Sequence, residues 1–193
     1  MNKSINKSIK VVKNGGIIIF PTDTAFGIGC RVDSPSSISR LFKLRRRPKE
    51  KAVPILVSSI KMAEKYAEIT PTARKLMEKY WPGGLTIVVK CREEKVPELA
   101  RGGGKTIGLR MPKHETTLAI IRSVNNPLIG CSANFAGEST PYKMSDLNLD
   151  LISKVDLVVR GRTSAKIAST VVDTTGKDIK VLRSGAVKID PRY

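Results

Sequence analysis

The sequence predicts an α/β fold: an open, twisted, mixed sheet with flanking helices. Three observations carry that prediction. Short apolar runs alternate with stretches of helical period from one end of the chain to the other, as strands and helices packed in layers do. Several consecutive strands have no helical stretch between them, so the sheet must contain antiparallel as well as parallel pairs. No internal repeat and no linker long enough to separate domains interrupts the 193 residues, so one domain over residues 1–193 is expected.

Ile5, Ile9 and Val12 share a face of a helix over residues 3 to 13, which Asn14-Gly15-Gly16 stops. Ile17 to Phe20 is a short buried strand broken by Pro21. Thr22-Asp23-Thr24 is a turn, since short polar side chains bond the nearby backbone. Phe26 to Cys30 is glycine-rich and lets something approach closely. Ser36 or Ser37 caps a helix carrying Ile38, Leu41 and Phe42, which ends near Arg47 because Pro48 forbids continuation. Val53 to Val57 is a strand and residues 59 to 67 a helix. Thr70-Pro71 starts a further helix, with Thr as N-cap and Pro in the first position, and Pro82-Gly83-Gly84 follows its end at Trp81. Leu85 to Val89 and Thr106 to Leu109 are strands, joined through a mobile basic loop at Arg101 to Lys105. A helix over 115 to 124, a strand over Pro127 to Cys131, a helix near 145 to 154 and strands at 156 to 159, 170 to 173 and 179 to 182 complete the order. Residues 135 to 144 are the expected mobile flap.

Hydrophobic residues at 40% and charged residues at 27% suit a chain with a real core. The charge is unusual: 35 Lys+Arg against 17 Asp+Glu leave +18. That balance suits polyanionic partners such as nucleotides, RNA, DNA or an anionic membrane surface, and it equally suits a solvated basic surface. Cys30, Cys91 and Cys131 are far apart with no CxxC pair, which excludes zinc and thioredoxin-like motifs and reads as buried free thiols in a reducing cytoplasm. The longest N-terminal apolar run, Ile17 to Phe20, is too short for a signal-peptide core, and no stretch is long enough to span a bilayer. A single histidine, His114, excludes HExxH and multi-histidine metal sites, so no metal ligands are expected from the chain.

Five segments can carry chemistry. In Arg40 to Lys51, seven of twelve residues are basic. Such runs are usually solvated faces, but this one lies at a helix end before an X-Pro turn, where arginine forks suit phosphate oxygens. Pro21 to Gly27 places hydroxyls at the end of a buried strand, as a small-ligand pocket or a plain turn requires. Cys131-Ser132-Ala133-Asn134 offers donors to a phosphate, or a helix cap. Arg110 closes an apolar strand and must meet an anion, either a structural Asp or a substrate carboxylate. Ser169 to Asp173 and Arg183 place polar groups at strand edges. The Walker lysine loop and GxGxxG are both absent.

Taken in order, GGIIIFPTDTAFGIG, RRRPKEKAVPILV, YWPGGLTIVVK, TIGLRMPKH, PLIGCSANFAGESTP, STVVDTT and VLRSG resemble the YrdC/TsaC family across residues 15 to 185. The resemblance implies a YrdC-like (DHBP-synthase-like) fold with a basic concave cavity, in a short single-domain form without the C-terminal domain of longer relatives. It implies an L-threonylcarbamoyladenylate synthase, a nucleotidyltransferase condensing L-threonine, bicarbonate and ATP, with Mg²⁺ accompanying the ATP. The product then serves threonylcarbamoyladenosine modification of tRNA through downstream transfer proteins in the cytoplasm. By position, Thr24, Arg110 and Ser169 fall where the family holds L-threonine. Arg47, Lys51, Thr106, Ser132, Asn134 and Arg183 fall where it holds ATP, and Arg45 and Arg47 form the catalytic basic pair. Arg45 stands where the family has Lys, and Ser184 where it more often has Pro. Two other readings fit the same fold: a non-catalytic RNA-binding protein, for which direct tRNA contact follows from the charge, and a low-activity paralogue.

Overall fold

A computed structural model of the chain describes residues 3–190. The expected α/β class holds, but the strands form two mixed sheets instead of one. Strands β1 (Ile18–Pro21), β2 (Phe26–Gly29), β7 (Cys131–Ser132) and β8 (Leu157–Val158) make a four-stranded sheet in the order β7-β2-β1-β8. Strands β3 (Ile55–Leu56), β4 (Leu85–Lys90), β5 (Thr106–Arg110), β6 (Leu128–Ile129), β9 (Thr170–Asp173) and β10 (Lys180–Arg183) make a six-stranded sheet in the order β10-β9-β4-β5-β3-β6. The strand expected over Pro127 to Cys131 is the reason for the division. It breaks at Gly130, so that β6 pairs with β3 in one sheet and β7 with β2 in the other. Side-chain atoms of Leu56 lie 2.4 Å from where a Cβ at residue 130 would stand.

The helices are α1 (Lys3–Lys13), α2 (Pro35–Leu44), α3 (Ile60–Ala63), α4 (Pro71–Tyr80), α5 (Glu115–Val124) and α6 (Leu149–Ile152). Thr70 caps α4 as expected, its hydroxyl accepting from the Ala73 N–H at 3.1 Å. Helix α2 begins earlier than expected, at Pro35 after Ser34. Ser37, read as a cap, instead donates its hydroxyl to the Gly15 carbonyl at 2.7 Å. The helices expected over 59 to 67 and 145 to 154 contract to single turns, the second preceded by a 3₁₀ turn at Met144–Asp146 and capped by Asn148. Phe26 to Gly29, read only as a glycine-rich stretch, is a fully buried strand antiparallel to β1.

Two-residue periodicity decides what each face of the six-stranded sheet does. Leu85, Ile87, Val89, Ile107, Leu109 and Val172 enter the main core, together with Leu76 and Met77 of α4. The alternate positions, Thr86, Val88, Gly108, Arg110 and Val171, face a cavity. A second core cluster packs α1 and α5 against β1 through Val12, Ile18, Phe20, Ile120 and Ile121.

Arg40, part of the basic run, is structural. Its guanidinium forks onto Asp156 at 2.6 and 3.0 Å, and the same carboxylate accepts the Ile17 N–H at 2.7 Å. The Arg40 hydrogen bond, helped by that N–H and opposed by burial, holds the Asp156 carboxyl below its ordinary value. A carboxyl lowered in the folded state contributes stability above its unfolded value near 3.9 and loses it as pH falls through the folded value. Asp156→Asn is therefore expected to lower the melting temperature at pH 7 and to approach the wild type as both are acidified below pH 4. Melting curves across that range check it; a temperature difference constant with pH contradicts it.

Candidate active site

A cavity of ≈ 330 Å³ opens between the sheets, over the polar face of the six-stranded one. Four arginines, Arg45, Arg47, Arg110 and Arg183, reach its wall, and no carboxylate is among its lining residues. Hydroxyls from Thr22, Thr24, Thr86, Ser132, Thr140 and Ser169 fill much of the remaining polar lining. Guanidinium groups and hydroxyls of this kind pair well with phosphate and carboxylate oxygens.

One end of the cavity is organised by Arg110. The strand β5 delivers it to a depth where only 8% of the side chain is exposed, beside Asp23 at 12%. Its Nη2 donates to Asp23 Oδ1 at 2.6 Å, its Nη1 to Thr24 Oγ1 at 2.8 Å and its Nε to the Gly83 carbonyl at 3.0 Å. These three bonds leave two of the five guanidinium N–H groups for something else. Burial pulls the Arg110 guanidinium below its ordinary value and Asp23 opposes the shift. The turn holding Asp23 is set by Thr22, whose hydroxyl donates to the Ala25 carbonyl at 2.7 Å and accepts the Thr24 N–H at 3.1 Å. Of the two anions that Arg110 could meet, the structural one is Asp23, 87 residues away in sequence.

Arg183 reaches the cavity through a β-bulge. Val181 pairs with Val172, yet Arg183 pairs with Val171, so Leu182 is the extra residue. Without it, Leu182 would stand opposite Val171 on the cavity face. The bulge gives that place to Arg183, whose Nε donates to the Ser169 carbonyl and Nη2 to Ser169 Oγ, both at 3.0 Å. Ser169 Oγ also lies 2.9 Å from Thr86 Oγ1. Gly185 follows closely because a Cβ there would lie 2.3 Å from the Ala168 carbonyl oxygen.

The three consecutive arginines go three ways. Arg45 caps α2 and turns inward, 2% exposed. Arg46 takes a left-handed φ of 53° and sets its guanidinium 4.8 Å from the Phe135 ring centroid. Arg47 curls back at the cavity wall, its Nε donating to the Lys51 carbonyl at 3.1 Å and its Nη2 to that of Ala52 at 2.6 Å. Burial lowers the Arg47 value, Cys131 opposes this and Arg45 adds to it.

Of the residues singled out in the sequence, Thr24, Arg45, Arg47, Arg110, Ser132, Ser169 and Arg183 meet in this one cavity. Three stand outside its wall. Lys51 is exposed and contributes its carbonyl to Arg47. Thr106 opens β5 opposite Lys90, four residues along the strand from Arg110. Asn134 is buried beneath Arg45. Sequence reasoning missed Thr86, Thr140 and Val88; for Thr86 the signal was a hydroxyl at an alternate position of an otherwise apolar strand. It read all three cysteines as core thiols. Cys30 is one, its thiol pushed up to about 12 mainly by burial, but Cys131 also forms part of the cavity wall. The expected basic loop at Arg101 to Lys105 is a series of turns in which Arg101 pairs with Glu93 at 3.1 Å. The segment expected as a flap makes two backbone bonds to its surroundings, from the Phe26 N–H to the Pro141 carbonyl and from the Ala136 N–H to the Arg45 carbonyl, both at 2.9 Å.

Fold and cavity together define an α/β protein with a cavity walled by four arginines and several hydroxyls. The family model for the Sua5/YciO/YrdC domain, described as telomere recombination, matches residues 10–185, and the chain belongs to that family. This agrees with the YrdC/TsaC resemblance of its motifs. The chain is similar to the threonylcarbamoyl-AMP synthase of Pyrococcus abyssi, with 31% identity over 181 residues covering 93% of this chain and 53% of the relative. The structure of P. abyssi Sua5 complexed with L-threonine superposes with a TM-score of 0.89 at 31% identity, covering 94% of this chain and 54% of that one. Escherichia coli YciO superposes with a TM-score of 0.88 at 26% identity, covering 97% and 91%. The chain thus spans about half the length of the P. abyssi protein and most of YciO. No helix among the described residues is long and apolar enough to cross a membrane.

Proposed function

We propose that this chain is a threonylcarbamoyl-AMP synthase that condenses L-threonine, bicarbonate and ATP. The observation that carries the reading is the convergence of Arg110 with Thr24 and Arg45, Arg47 and Arg183 with Ser132 on one cavity. Likeness to a relative whose structure holds L-threonine supports the amino-acid end.

Arg110 takes the threonine carboxylate with its two remaining N–H groups, and Thr24 and Ser169 complete that pocket. Arg45, Arg47, Ser132 and Arg183 take the phosphates. The threonine amine, as the neutral base, bonds to the carbon of bicarbonate, and water leaves to give a carbamate. A carbamate oxygen then bonds to the α-phosphorus of ATP, the α–β phosphoanhydride breaks, and pyrophosphate departs with the electron pair. The chain's part is to hold the reactants in line and to offset charge building on the departing pyrophosphate. Fixed guanidinium groups suit this, and no covalent nucleophile is needed. Mg²⁺ enters with the triphosphate as part of the substrate; the cavity wall, rich in cations and without carboxylates, is suited to receive it already bound by phosphate and water. The adenylate then passes to proteins that transfer the threonylcarbamoyl group to tRNA. Three free cysteines are in keeping with a cytoplasmic setting.

Omission of one substrate at a time tests the reading. Pyrophosphate release from ATP is expected only with L-threonine and bicarbonate both present, and release indifferent to threonine would sink it.

A further inference from the structure

Among the buried polar side-chain atoms of the described residues, Arg45 Nη1 is one of three left without a hydrogen-bond partner, and of those three residues Arg45 alone lies in the cavity wall. Buried N–H groups without partners are rare, and those of a cation most of all, because the charge has been taken out of water with nothing in return. The other edge of the same guanidinium is fully engaged. Nε donates to the Asn134 backbone carbonyl at 2.9 Å and Nη2 to Asn134 Oδ1 at 3.2 Å. Two donors on one edge meet two acceptors of one residue, which fixes the plane and the rotation of the group.

Asn134 is itself fixed. Its Nδ2 donates to the Glu138 carbonyl at 2.7 Å, and the Ala136 N–H donates to the Arg45 carbonyl at 2.9 Å. The orientation of the amide follows from chemistry: arginine only donates and a carbonyl only accepts, so Oδ1 must face Arg45 and Nδ2 must face Glu138. The side chain's acceptor is spent on Arg45, and Asn134 lies outside the cavity wall. A lysine at position 45 could not be held in this way, since one ammonium has no paired edge to lay against two acceptors of Asn134.

We propose that Asn134 is a positioning residue that clamps Arg45 by one edge so that Nη1 donates to a phosphate oxygen bound in the cavity. The inference rests on the cavity being a phosphate site. It assigns Asn134 a role through Arg45 in place of direct contact with the nucleotide, and it makes the pair Arg45–Asn134 a unit. The same unit ties the phosphate to the 134–140 loop, which supplies Thr140 to the wall.

A double-mutant cycle with inorganic tripolyphosphate as the probe, read by titration calorimetry on the full chain, tests this. Arg45→Ala and Asn134→Ala are each expected to weaken binding by on the order of tenfold or more, as loss of a hydrogen bond to a charged group does. The double variant is expected to lose less than the product of the two single losses, because the part of the Asn134 effect that Arg45 carries is lost only once. Fold losses that multiply in the double variant overturn the proposal, as does an unchanged affinity in Asn134→Ala. Arg45→Lys provides a second arm that leaves the asparagine links to Glu138 intact. It keeps the charge and removes the paired edge, so it is expected to lose most of the affinity that Asn134→Ala loses; wild-type affinity in Arg45→Lys overturns the clamp. Because the probe carries neither adenosine nor threonine, absence of threonine-dependent turnover with a non-additive cycle overturns the synthase reading alone. Additive losses with normal turnover overturn the clamp alone.

Discussion

Arg110→Met is expected to abolish L-threonine binding and to lower the melting temperature by roughly 6–20 °C. The two effects have one origin. Arg110 is buried and Asp23 largely so, its side chain 12% exposed, and their 2.6 Å bond is what makes the Asp23 charge tolerable there. Removing one partner of a buried pair costs about 3–5 kcal/mol, because the other charge remains buried. In a domain of this size each kcal/mol moves the midpoint by about 2–4 °C. The Lys113 N–H still reaches Asp23 Oδ1 at 3.1 Å, which keeps the loss toward the lower half of the range. Adding Asp23→Asn to Arg110→Met separates the two effects: most of the stability is expected to return, while threonine binding is not. Thermal melts and threonine titrations of the two variants check this. A double variant that recovers binding as well as stability would show that Arg110 serves Asp23 alone.

Gly29→Ala is expected to prevent the chain from folding to its native state. A Cβ at residue 29 would lie 1.7 Å from the Ile129 carbonyl oxygen and 2.8 Å from its carbon. Those are backbone atoms, so no rotamer change relieves the contact. Both strands are also tied at that place: the Ile129 N–H donates to the Cys30 carbonyl at 2.8 Å, and Ile28 pairs with Cys131. Relief would require β2 to part from the β6–Gly130–β7 segment, which joins the two sheets and carries Ser132 to the cavity. Overpacking of side chains alone costs about 1–3 kcal/mol; a clash between backbones should exceed that. Circular dichroism and the soluble yield of the variant give the readout, and a well-folded variant with the wild-type melting temperature would contradict the close approach.

How much of this was legible in the sequence depended on the range of the signal. Local chemistry read well. Thr70-Pro71 marked the start of α4, and Leu85 to Val89 marked all but the last residue of β4, because capping and a short apolar run act within a few residues. Phe26 to Gly29 was missed as a strand because glycine weakens any strand pattern; here two glycines are required by the closeness of Phe20 and of the Ile129 backbone. Gly130 could be seen, but nothing local says that the chain changes sheets there. The arginine run gave its charge and hid its division. Only the left-handed backbone at Arg46 and the partner at Asn134, 89 residues from Arg45, turn one side chain inward. The cavity itself comes from pairs such as Arg110 with Asp23 and Thr86 with Ser169, which the tertiary fold brings together across 87 and 83 residues. Motif order, not local pattern, connects most of the wall residues in the sequence. Thr106 and Lys51 entered by position in those motifs, and the fold sets them outside the wall.

The most direct test of the central claim is the identity of the product. Purified chain is incubated with ATP·Mg²⁺, L-threonine and ¹³C-bicarbonate, and the nucleotides are separated and weighed by mass spectrometry. The expected result is an adenylate carrying the threonylcarbamoyl group with one ¹³C, formed together with pyrophosphate and absent when threonine is omitted. ATP left intact, or cleaved without incorporation of the labelled carbon, would contradict the reading of this cavity as a site where threonine, bicarbonate and the α-phosphate meet.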